Sequence, residues 1–363
     1  MSEASEQQVR EILSGILDPH SGQDLVSAGV VRGIGISGDK VSVDIQLGYP
    51  AVSWQQELSG VVKKTLEADP AINSAAVGVS CRIGAHRVQE GLSPLTGIRN
   101  VIAVASGKGG VGKSTVAANL ALALRAEGAS VGILDADIYG PSQPRMFGLS
   151  GKPDTKDGNR IEPKINHGIQ VMSIGFLIEE DTPMIWRGPM VTQALQQLLS
   201  DTNWVDLDYL IIDLPPGTGD IQLTLCQRVP VSGAVIVTTP QDIALLDARK
   251  ALKMFEKVNV PVLGIIENMS THVCSQCGHE EHVFGEGGGA RMAEQYDVPL
   301  LGSLPLDIRI REQADNGTPT VAALPDSELA SRYREIARNA SARLALQARN
   351  KSIQFPKIVI QNT

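Results

Sequence analysis

The 363-residue sequence has few cysteines, few aromatic residues and no long uninterrupted apolar segment. Its four cysteines are too few for a disulfide framework in a chain of this length, so we expect a reducing compartment, the cytoplasm. No apolar run approaches the roughly 20 residues that cross a bilayer. Residues 1–6 are acidic and lack the apolar core of a signal peptide. These absences predict a protein with no membrane partner.

The sequence also has no excess of positive charge. It contains 32 Lys and Arg against 40 Asp and Glu, which gives a net charge of −8. A protein that binds nucleic acid over its surface needs cations to neutralise phosphates, so we expect no nucleic-acid partner. The hydrophobic content of 42% predicts a globular protein with a large core, and the length predicts two domains.

A complete phosphate-binding motif is present at residues 106–115, with the sequence SGKGGVGKST. The pattern Gly-x-x-x-x-Gly-Lys-Ser/Thr wraps backbone amides around phosphates, and glycines keep Cβ atoms out of the way. Lys113 is predicted to reach the β- and γ-phosphates and the Ser114 hydroxyl to bind Mg²⁺. An apolar run at 101–105 precedes the loop and a helical pattern at 114–126 follows it, which disfavours a simple glycine-rich turn. The predicted nucleotide-binding residues are Gly107, Lys108, Gly109, Gly110, Val111, Gly112, Lys113, Ser114 and Thr115.

Apolar runs alternate with helical patterns from residue 99 to residue 350. This alternation predicts an α/β fold, a mostly parallel sheet flanked by helices, in which ligands bind beyond the carboxyl ends of the strands. The predicted strands are 101–105, 130–134, 171–174, 209–212, 234–238, 262–266 and 300–304, and further helices are predicted at 190–199, 243–257, 288–296 and 327–349.

Residues 1–88 have a different pattern, which predicts a small α+β domain preceding the sheet. We expect helices at 6–17 and 53–68 and strands at 30–36, 41–47 and 75–83. Glycines and prolines predict a linker over 89–98, and residues 351–363 form a short tail.

Three aspartates follow predicted strands. Asp135 and Asp137 lie in the segment DADIYGPS, and because alternate residues at a strand end point to opposite sides, different roles are expected. Asp135 is predicted to support the Mg²⁺ shell and Asp137 to orient the attacking water. Asp213 opens the segment DLPPGTGD and is the expected second Mg²⁺ anchor. Ordinary acidic turns are the alternative interpretation.

Cys274 and Cys277 form one Cys-x-x-Cys pair, whereas Cys81 and Cys226 are isolated and predicted to be core residues. Two thiolates can bind one metal, but a tetrahedral sulfur site needs two further ligands. A second copy of the chain would supply them for a cluster on a twofold axis, and nearby histidines would supply them for zinc. A redox dithiol or two unligated cysteines are the remaining alternatives. The histidines in question are His272, His279 and His282.

The adenine pocket has a weaker signal. Asn268, which follows the strand at 262–266, is predicted to contact the base, together with Pro305 and Asp307 after the last strand. Each of these residues could equally be a helix cap or part of a plain turn.

The loop GKGGVGKST, with Lys108 at its second position, resembles the deviant phosphate loop of the MinD/ParA and nitrogenase iron-protein class. With the segments at 135–142, 186–190 and 213–220 and the Cys-x-x-Cys pair, residues 98–325 closely resemble the Mrp/ApbC family of iron–sulfur cluster carrier ATPases. This resemblance implies a homodimer in which Lys108 reaches the ATP of the partner. It also implies a [4Fe-4S] cluster held by Cys274 and Cys277 of both subunits and donated to apo iron–sulfur proteins.

Residues 17–31 resemble the small iron–sulfur-assembly domain found in many bacterial members. Such domains often place a cysteine after the second strand, whereas this chain has GYPA at 48–51. We therefore expect a docking or regulatory module rather than a second cluster site.

A positioning ATPase of the MinD/ParA type is the main alternative function, and a zinc-dependent metallochaperone ATPase is another. A positioning ATPase needs a basic amphipathic surface, for which the helix at 327–349 is the nearest candidate. Its apolar face is more simply explained by packing on the sheet. Its arginines are Arg332, Arg334, Arg338, Arg343 and Arg349, and its apolar residues are Leu329, Tyr333, Ile336 and Leu344.

Overall fold

The computed structural model of the chain describes residues 4–156, 160–177, 188–274 and 276–347. The tail at 351–363, the end of the domain at 350, Arg349, and Trp186 and Arg187 of the segment at 186–190 lie outside the described residues. Two hydrophobic cores are formed, one by the N-terminal part and one by the rest of the chain.

The N-terminal unit is a three-stranded sheet with two helices. Strand Lys40–Leu47 is its centre, pairing antiparallel with Val31–Ser37 and parallel with Ser74–Cys81. Alternate residues of the central strand are buried, as expected for a strand with one face on the core. The elements are α1 (Glu6–Ser14), β1 (Leu17–Asp18), β2 (Gln23–Asp24), β3 (Val31–Ser37), β4 (Lys40–Leu47), α2 (Gln55–Glu67) and β5 (Ser74–Cys81).

The first helix is shorter than predicted. It ends at Ser14 rather than at residue 17, and Leu17–Asp18 pairs with Gln23–Asp24 in a two-stranded ribbon. The Asp18 carboxylate accepts hydrogen bonds from the backbone N–H groups of His20 and Ser21, at 3.2 Å each. This local turn competes with continuation of the helix.

The second unit is built on an eight-stranded sheet. Every predicted strand of this region is present in it, and the sheet is parallel except at one edge, where β10 pairs antiparallel with β11. The elements are β6 (Ile98–Ala105), α3 (Lys113–Ala126), β7 (Val131–Asp135), α4 (Gln143–Met146), β8 (Thr155–Lys156), β9 (Arg160–Ile161), β10 (Lys164–Asn166), β11 (Ile169–Ser173), α5 (Gly188–Asp201), β12 (Leu207–Asp213), α6 (Asp220–Arg228), β13 (Gly233–Thr238), α7 (Asp242–Lys257), β14 (Val262–Glu267), β15 (His272–Val273), β16 (Glu280–Glu281), α8 (Gly288–Tyr296), β17 (Leu300–Ser303), α9 (Ile308–Asp315), α10 (Thr320–Ala323) and α11 (Glu328–Ala345).

The strand order is β10-β11-β7-β12-β6-β13-β14-β17, and the predicted α/β fold is confirmed. The central strand β6 precedes the phosphate loop, with β12 and β13 on either side of it. Because the strands run in parallel, β7 and β12 end at the same edge and place Asp135 beside Asp213. This register brings the phosphate loop and both predicted Mg²⁺ anchors to one edge of the sheet.

Helix α11 joins the two units. Its residues Leu329, Tyr333, Ile336 and Leu344 are buried, as the apolar pattern predicts. Ile336 and Leu344 belong to the core of the second unit, whereas Ala342 belongs to the core of the first. The helix also follows α3 closely, so the N-terminal unit meets the second unit near the C-terminal end of the phosphate-loop helix.

Candidate nucleotide site and cysteine hairpin

Two glycines of the phosphate loop pack closely, one against backbone and one against an asparagine side chain. A Cβ atom added to Gly107 would lie 2.1 Å from the carbonyl carbon of Asp247, so α7 packs directly on the loop. Gly112 has φ +81°, and a Cβ there would lie 2.3 Å from Nδ2 of Asn268. Only glycine fits these positions, which explains their place in the motif.

Helix α3 begins at Lys113, immediately after this turn. Its N-cap is Gly112, and no side chain caps the amides of the first turn. Gly109 and Gly110 are exposed, and Val111 is buried. Uncapped amides and the positive end of the helix dipole favour an anion at this position. The segment therefore has the features of a phosphate site.

Lys113 forms a buried ion pair with the Asp213 carboxylate at the end of β12. The side chains are 5% and 0% exposed, respectively, so the pair is shielded from water. The Lys113 ammonium also lies 3.2 Å from the Ser114 hydroxyl oxygen. The three predicted residues, Lys113, Ser114 and Asp213, thus meet.

Asp135 is fully buried beside this pair. Its Oδ2 accepts hydrogen bonds from the backbone N–H groups of Ser142 and Gln143 and from the Ser173 hydroxyl, at 2.9, 3.0 and 3.1 Å. Burial, reinforced by the negative charge of Asp213, raises the pKa of Asp135 to about 7. Burial and a neighbouring negative charge both disfavour the ionised carboxylate, whereas a nearby positive charge favours it.

Asp137 differs from Asp135, as the alternation predicts. It is half-buried, and its Oδ1 accepts a hydrogen bond from the N–H of Gly140 at 3.3 Å. Burial raises the pKa of Asp137, and the charge of Lys113 partly offsets this effect. The role in orienting water stays a prediction.

Lys108, the second lysine of the loop, is half-buried. Among the described residues, no carboxylate lies within 4.0 Å of its ammonium group. The two lysines of the loop therefore have opposite environments.

The residues predicted to form the adenine pocket have partners within the chain. Nδ2 of Asn268 donates to the Val111 carbonyl at 2.8 Å and so holds the phosphate loop. Asp307 caps α9 and pairs with Arg309. Pro305 is half-buried in the turn before that helix. Contact of these residues with a base stays a prediction.

Cys274 and Cys277 lie in the loop of a β-hairpin that sequence reasoning missed. The strands β15 and β16 pair through His272 with Glu281 and Val273 with Glu280. Cys274 is half-buried and Cys277 is exposed. Backbone N–H groups of Gln276 and Cys277 donate to the Cys274 sulfur and lower the pKa of its thiol. Amide donors stabilise a thiolate, the form that binds metal.

Among the described residues, the neighbouring histidines are not arranged with the cysteines to hold a metal ion. His272 pairs with Glu281 at 3.1 Å, and Nδ1 of His282 donates to the Ser270 carbonyl at 3.1 Å. Across the described part of the chain, no group of three or more His, Cys, Asp or Glu side chains is arranged to hold a metal ion. Metal binding by the cysteine pair stays a prediction.

Sequence reasoning missed Gln143 and Ser173, which surround Asp135 and Asp213. Gln143 is fully buried and donates to Asp213 Oδ2 at 2.9 Å. Its place directly before Pro144, eight residues after Asp135, gave the only sequence signal, since the prolines of this segment predict a turn back toward the strand end.

The parallel sheet, the glycine-enclosed loop and the buried Lys–Asp pair define a P-loop nucleotide-binding protein. Comparison with known proteins narrows this class. Residues 97–341 match the profile of the NUBPL iron-transfer P-loop NTPase, and residues 6–79 match that of an iron–sulfur cluster assembly protein domain. The chain belongs to the NUBPL iron-transfer P-loop NTPase family, and the resemblance inferred from its motifs is confirmed.

Individual proteins agree with this assignment. An iron–sulfur cluster carrier protein of Pseudomonas fragi is 61% identical over 268 residues, covering 73% of this chain and 93% of that protein. A nucleotide-binding protein of Archaeoglobus fulgidus, solved in complex with ADP, is 42% identical with a TM-score of 0.54, covering 61% and 87% of the two chains. The cell division ATPase MinD of Pyrococcus furiosus is 24% identical, with a TM-score of 0.50 over 66% and 97% of the chains, and supports the MinD-like fold alone.

Three arginines of the basic helix considered for surface attachment have partners within the chain. Arg338 pairs with Glu127, Arg332 pairs with Glu328, and Arg334 donates to the Pro325 carbonyl. Among the described residues, no helix combines the length and the apolar character needed to cross a membrane.

Proposed function

We propose that this protein is an ATP-hydrolysing iron–sulfur cluster carrier of the reducing cytoplasm. It acts as a homodimer that holds a [4Fe-4S] cluster as cargo and transfers it to apo iron–sulfur proteins. The observation that carries the proposal is the cysteine hairpin. It offers two sulfur ligands, with amide donors on one of them, and the described residues supply no third ligand. Two copies related by a twofold axis would supply the four thiolates that a cubane needs.

The nucleotide site would supply the energy-dependent step. Ser114, Asp135 and Asp213 offer hydroxyl and carboxylate oxygens, the ligands that Mg²⁺ prefers, and so fit this cation. Bound Mg²⁺ would neutralise charge on the phosphates. Lys113 would exchange Asp213 for the β- and γ-phosphates, and Asp137 would orient the attacking water. Lys108 would reach the ATP of the partner subunit.

The two sites would communicate through the edge of the sheet that they share. The phosphate loop follows β6 and the cysteine hairpin follows β14, so both lie beyond carboxyl ends of parallel strands in the same sheet. A dimer closed by ATP at this edge would bring two hairpins together. A zinc metallochaperone and a positioning ATPase are the alternative functions, and the metal content of the protein distinguishes them.

The test is the metal content of cysteine variants after anaerobic reconstitution with iron and sulfide. Wild-type dimer should gain a broad absorption band at about 400 nm and roughly four irons. Cys274→Ala or Cys277→Ala should lose the cluster outright, because each change removes one ligand from each subunit. Cys81→Ala and Cys226→Ala are the matched controls and should keep it, since both cysteines lie in packed secondary structure.

The same measurements distinguish the alternatives. A cluster retained in the Cys274→Ala, Cys277→Ala double variant would refute the site. Stoichiometric zinc that is lost on His272→Ala, His279→Ala or His282→Ala would support the metallochaperone instead. Wild-type protein that hydrolyses ATP but gains neither a cluster nor stoichiometric zinc would favour the positioning ATPase.

A further inference from the structure

Gln143 lies at the centre of the buried cluster around Asp213. Its side chain is 0% exposed, and Nε2 donates to the Ser114 carbonyl at 3.0 Å and to Asp213 Oδ2 at 2.9 Å. Its backbone N–H donates to Asp135 Oδ2 at 3.0 Å. One residue thus touches the three segments that carry the expected Mg²⁺ ligands.

The other end of the Gln143 amide has no donor. Oε1 is buried without a hydrogen-bond partner among the described residues, and so is the hydroxyl oxygen of the adjacent Ser142. Burying an amide oxygen without a donor costs about 1–3 kcal/mol. Reversing the amide would give no relief, because Oε1 would then face two acceptors, the Ser114 carbonyl and the Asp213 carboxylate. The orientation is therefore determined, and a donor is missing at a defined place.

We propose that Gln143 is a positioning residue for hydrated Mg²⁺ in the nucleotide-bound protein. Nε2 holds the Asp213 carboxylate, and Oε1 accepts a hydrogen bond from a water molecule of the cation's hydration shell. Mg²⁺ gives up its waters reluctantly and usually keeps several of them in protein sites. Each such water donates hydrogen bonds, and acceptors in the surrounding protein orient it. This inference rests on the nucleotide site proposed above.

The same geometry explains how Asp213 stays in place when its lysine leaves. Lys113 binds Oδ1 of Asp213, whereas Gln143 binds Oδ2. Movement of the ammonium group to a phosphate would free Oδ1 only. The amide would then remain as the donor that orients the carboxylate toward the cation.

The test compares ADP binding with Mg²⁺ and with EDTA by titration calorimetry. Gln143→Leu keeps the side-chain size but removes both polar atoms. We expect the Mg²⁺-dependent increase in ADP affinity to fall by about 10- to 100-fold, the usual effect of losing an outer-shell partner. ADP affinity in EDTA should stay within about twofold of wild type, because the loop amides are unchanged.

Two further variants make the result specific. Gln143→Asn keeps the amide donor and acceptor on a side chain one methylene shorter and should retain part of the Mg²⁺ effect that Gln143→Leu loses. Gln89→Leu is the matched control, since Gln89 also bridges two partners, donating to the Cys226 carbonyl at 2.7 Å and accepting from the Val231 N–H at 2.8 Å. It should change neither affinity.

Each result of these titrations either supports or contradicts the role of Gln143. An unchanged Mg²⁺ effect in Gln143→Leu would overturn the inference, and so would equal losses with and without Mg²⁺, which indicate a purely structural role. An Asn variant as weak as the Leu variant would remove the water-binding part. Failure of wild-type protein to bind ADP in either condition would instead refute the proposed nucleotide site.

Discussion

Helix α3 has a buried polar cluster at each end, and the two clusters differ in how well their groups are satisfied. At its start, Lys113 pairs with Asp213 beside Asp135 and Gln143. At its end, Glu127 pairs with Arg338 of α11. Both clusters contain a carboxylate that is 0% exposed and paired with a cation, so burial and charge alone do not distinguish them.

The polar and charged groups at the start of α3 are only partly satisfied by one another. Two carboxylates share one lysine, and burial together with the charge of Asp213 raises the pKa of Asp135 to about 7. The side-chain oxygens of Gln143 and Ser142 have no hydrogen-bond partners among the described residues. An arrangement of this kind costs stability in the nucleotide-free protein and is relieved by cations and donors from a ligand.

The cluster at the end of α3 joins the two units, and almost all of its polar groups have hydrogen-bond partners. The Glu127 carboxylate accepts from the Ser53 N–H at 3.0 Å, the Ser53 hydroxyl at 2.6 Å and Arg338 at 2.6 Å. Nε of Arg338 donates to Nε2 of His20 at 3.1 Å, and Nδ1 of His20 donates to Asn339 at 2.7 Å. The indole N–H of neighbouring Trp54 is an exception, without a partner among the described residues.

This difference in hydrogen-bond satisfaction distinguishes a ligand site from a structural joint, the cluster of Glu127, Arg338, Ser53 and His20 that connects the two units. In a joint, nearly every buried donor and acceptor has a hydrogen-bond partner within the protein. In a ligand site, some buried polar atoms obtain a partner only when a ligand binds. The joint is therefore expected to respond to mutation through stability, and the nucleotide cluster through binding and catalysis.

The largest effect is expected from Lys113→Met. ATP hydrolysis should fall at least about 100-fold, because the charge that faces the phosphates is removed. The nucleotide-free protein should also lose about 3 kcal/mol of unfolding free energy, since Asp213 is left as an unpaired buried charge. Steady-state phosphate release and urea unfolding measure the two effects.

Matched variants separate these effects. Adding Asp213→Asn to Lys113→Met should restore most of the stability but no hydrolysis. Lys108→Ala should leave stability unchanged, because that lysine has no carboxylate partner among the described residues, and should impair only the dimer-dependent step. Recovery of hydrolysis on mixing Lys108→Ala with Lys113→Met protein would support action on the partner's ATP. Wild-type hydrolysis by Lys113→Met would contradict the role of the loop.

The sequence predicts the nucleotide cluster well and the joint poorly. Lys113 and Asp213 are found because the loop motif and the strand–Asp pattern are local, and parallel strands bring their ends together. Gln143 carries no such pattern, since its role depends on the return of the chain from Asp135 toward Ser114.

The joint depends on contacts between distant parts of the chain. Ser53 and Glu127 are 74 residues apart and His20 and Arg338 are 318 apart, so no local periodicity indicates these pairs. A different reason accounts for the missed edge strand β10 and the cysteine hairpin, which pair with nearby residues of the chain. Both are short segments whose pairing is decided by their neighbours rather than by their own apolar pattern.

A smaller effect, limited to stability, is expected from Arg338→Leu. Glu127 would stay buried without its cation, which costs about 3 kcal/mol in comparable pairs. Hydrolysis should remain near wild type, because the phosphate loop lies at the other end of α3. Urea unfolding and phosphate release again provide the measurements.

Two further variants test whether loss of the buried Arg338–Glu127 ion pair causes this effect. Arg332→Leu removes an exposed arginine from the same helix, where it pairs with Glu328 on the surface, and should change stability by less than about 1 kcal/mol. Arg338→Leu with Glu127→Gln should recover part of the loss, since the buried charge is gone. An Arg338→Leu protein as stable as wild type would show that the joint contributes nothing.

The smallest effect concerns the pH dependence of the joint through His20. Burial, with the charge of Arg338 acting in the same direction, lowers the pKa of His20 below its usual 6.5. The bond to Asn339 and the charges of Asp18 and Glu335 oppose this shift. Protonation would place an N–H on Nε2 against the N–H of Arg338, so the folded joint prefers neutral histidine.

The direction of the pH effect on stability follows from the difference in proton binding between the folded and unfolded states. With a lower pKa in the folded state, the unfolded chain takes up the proton first as the pH falls below about 6.5, and stability is lost until the folded pKa is passed. A single proton gives a slope of at most about 1.4 kcal/mol per pH unit. Asp135 acts in the opposite direction, because its raised pKa of about 7 makes the folded state lose stability as the pH rises toward 7. Wild-type protein must therefore be compared with a variant at each pH.

His20→Gln keeps a donor and an acceptor but does not titrate. We expect the unfolding free energy of wild type, relative to His20→Gln, to be larger at about pH 7.5 than at about pH 5.5, with the difference confined to the range below about 6.5. Asp135→Asn should leave this difference intact, because it alters the other end of α3. Parallel pH profiles for wild type and His20→Gln would mean that the joint tolerates the protonated ring, and that the match between its donors and acceptors is less strict than the distances indicate.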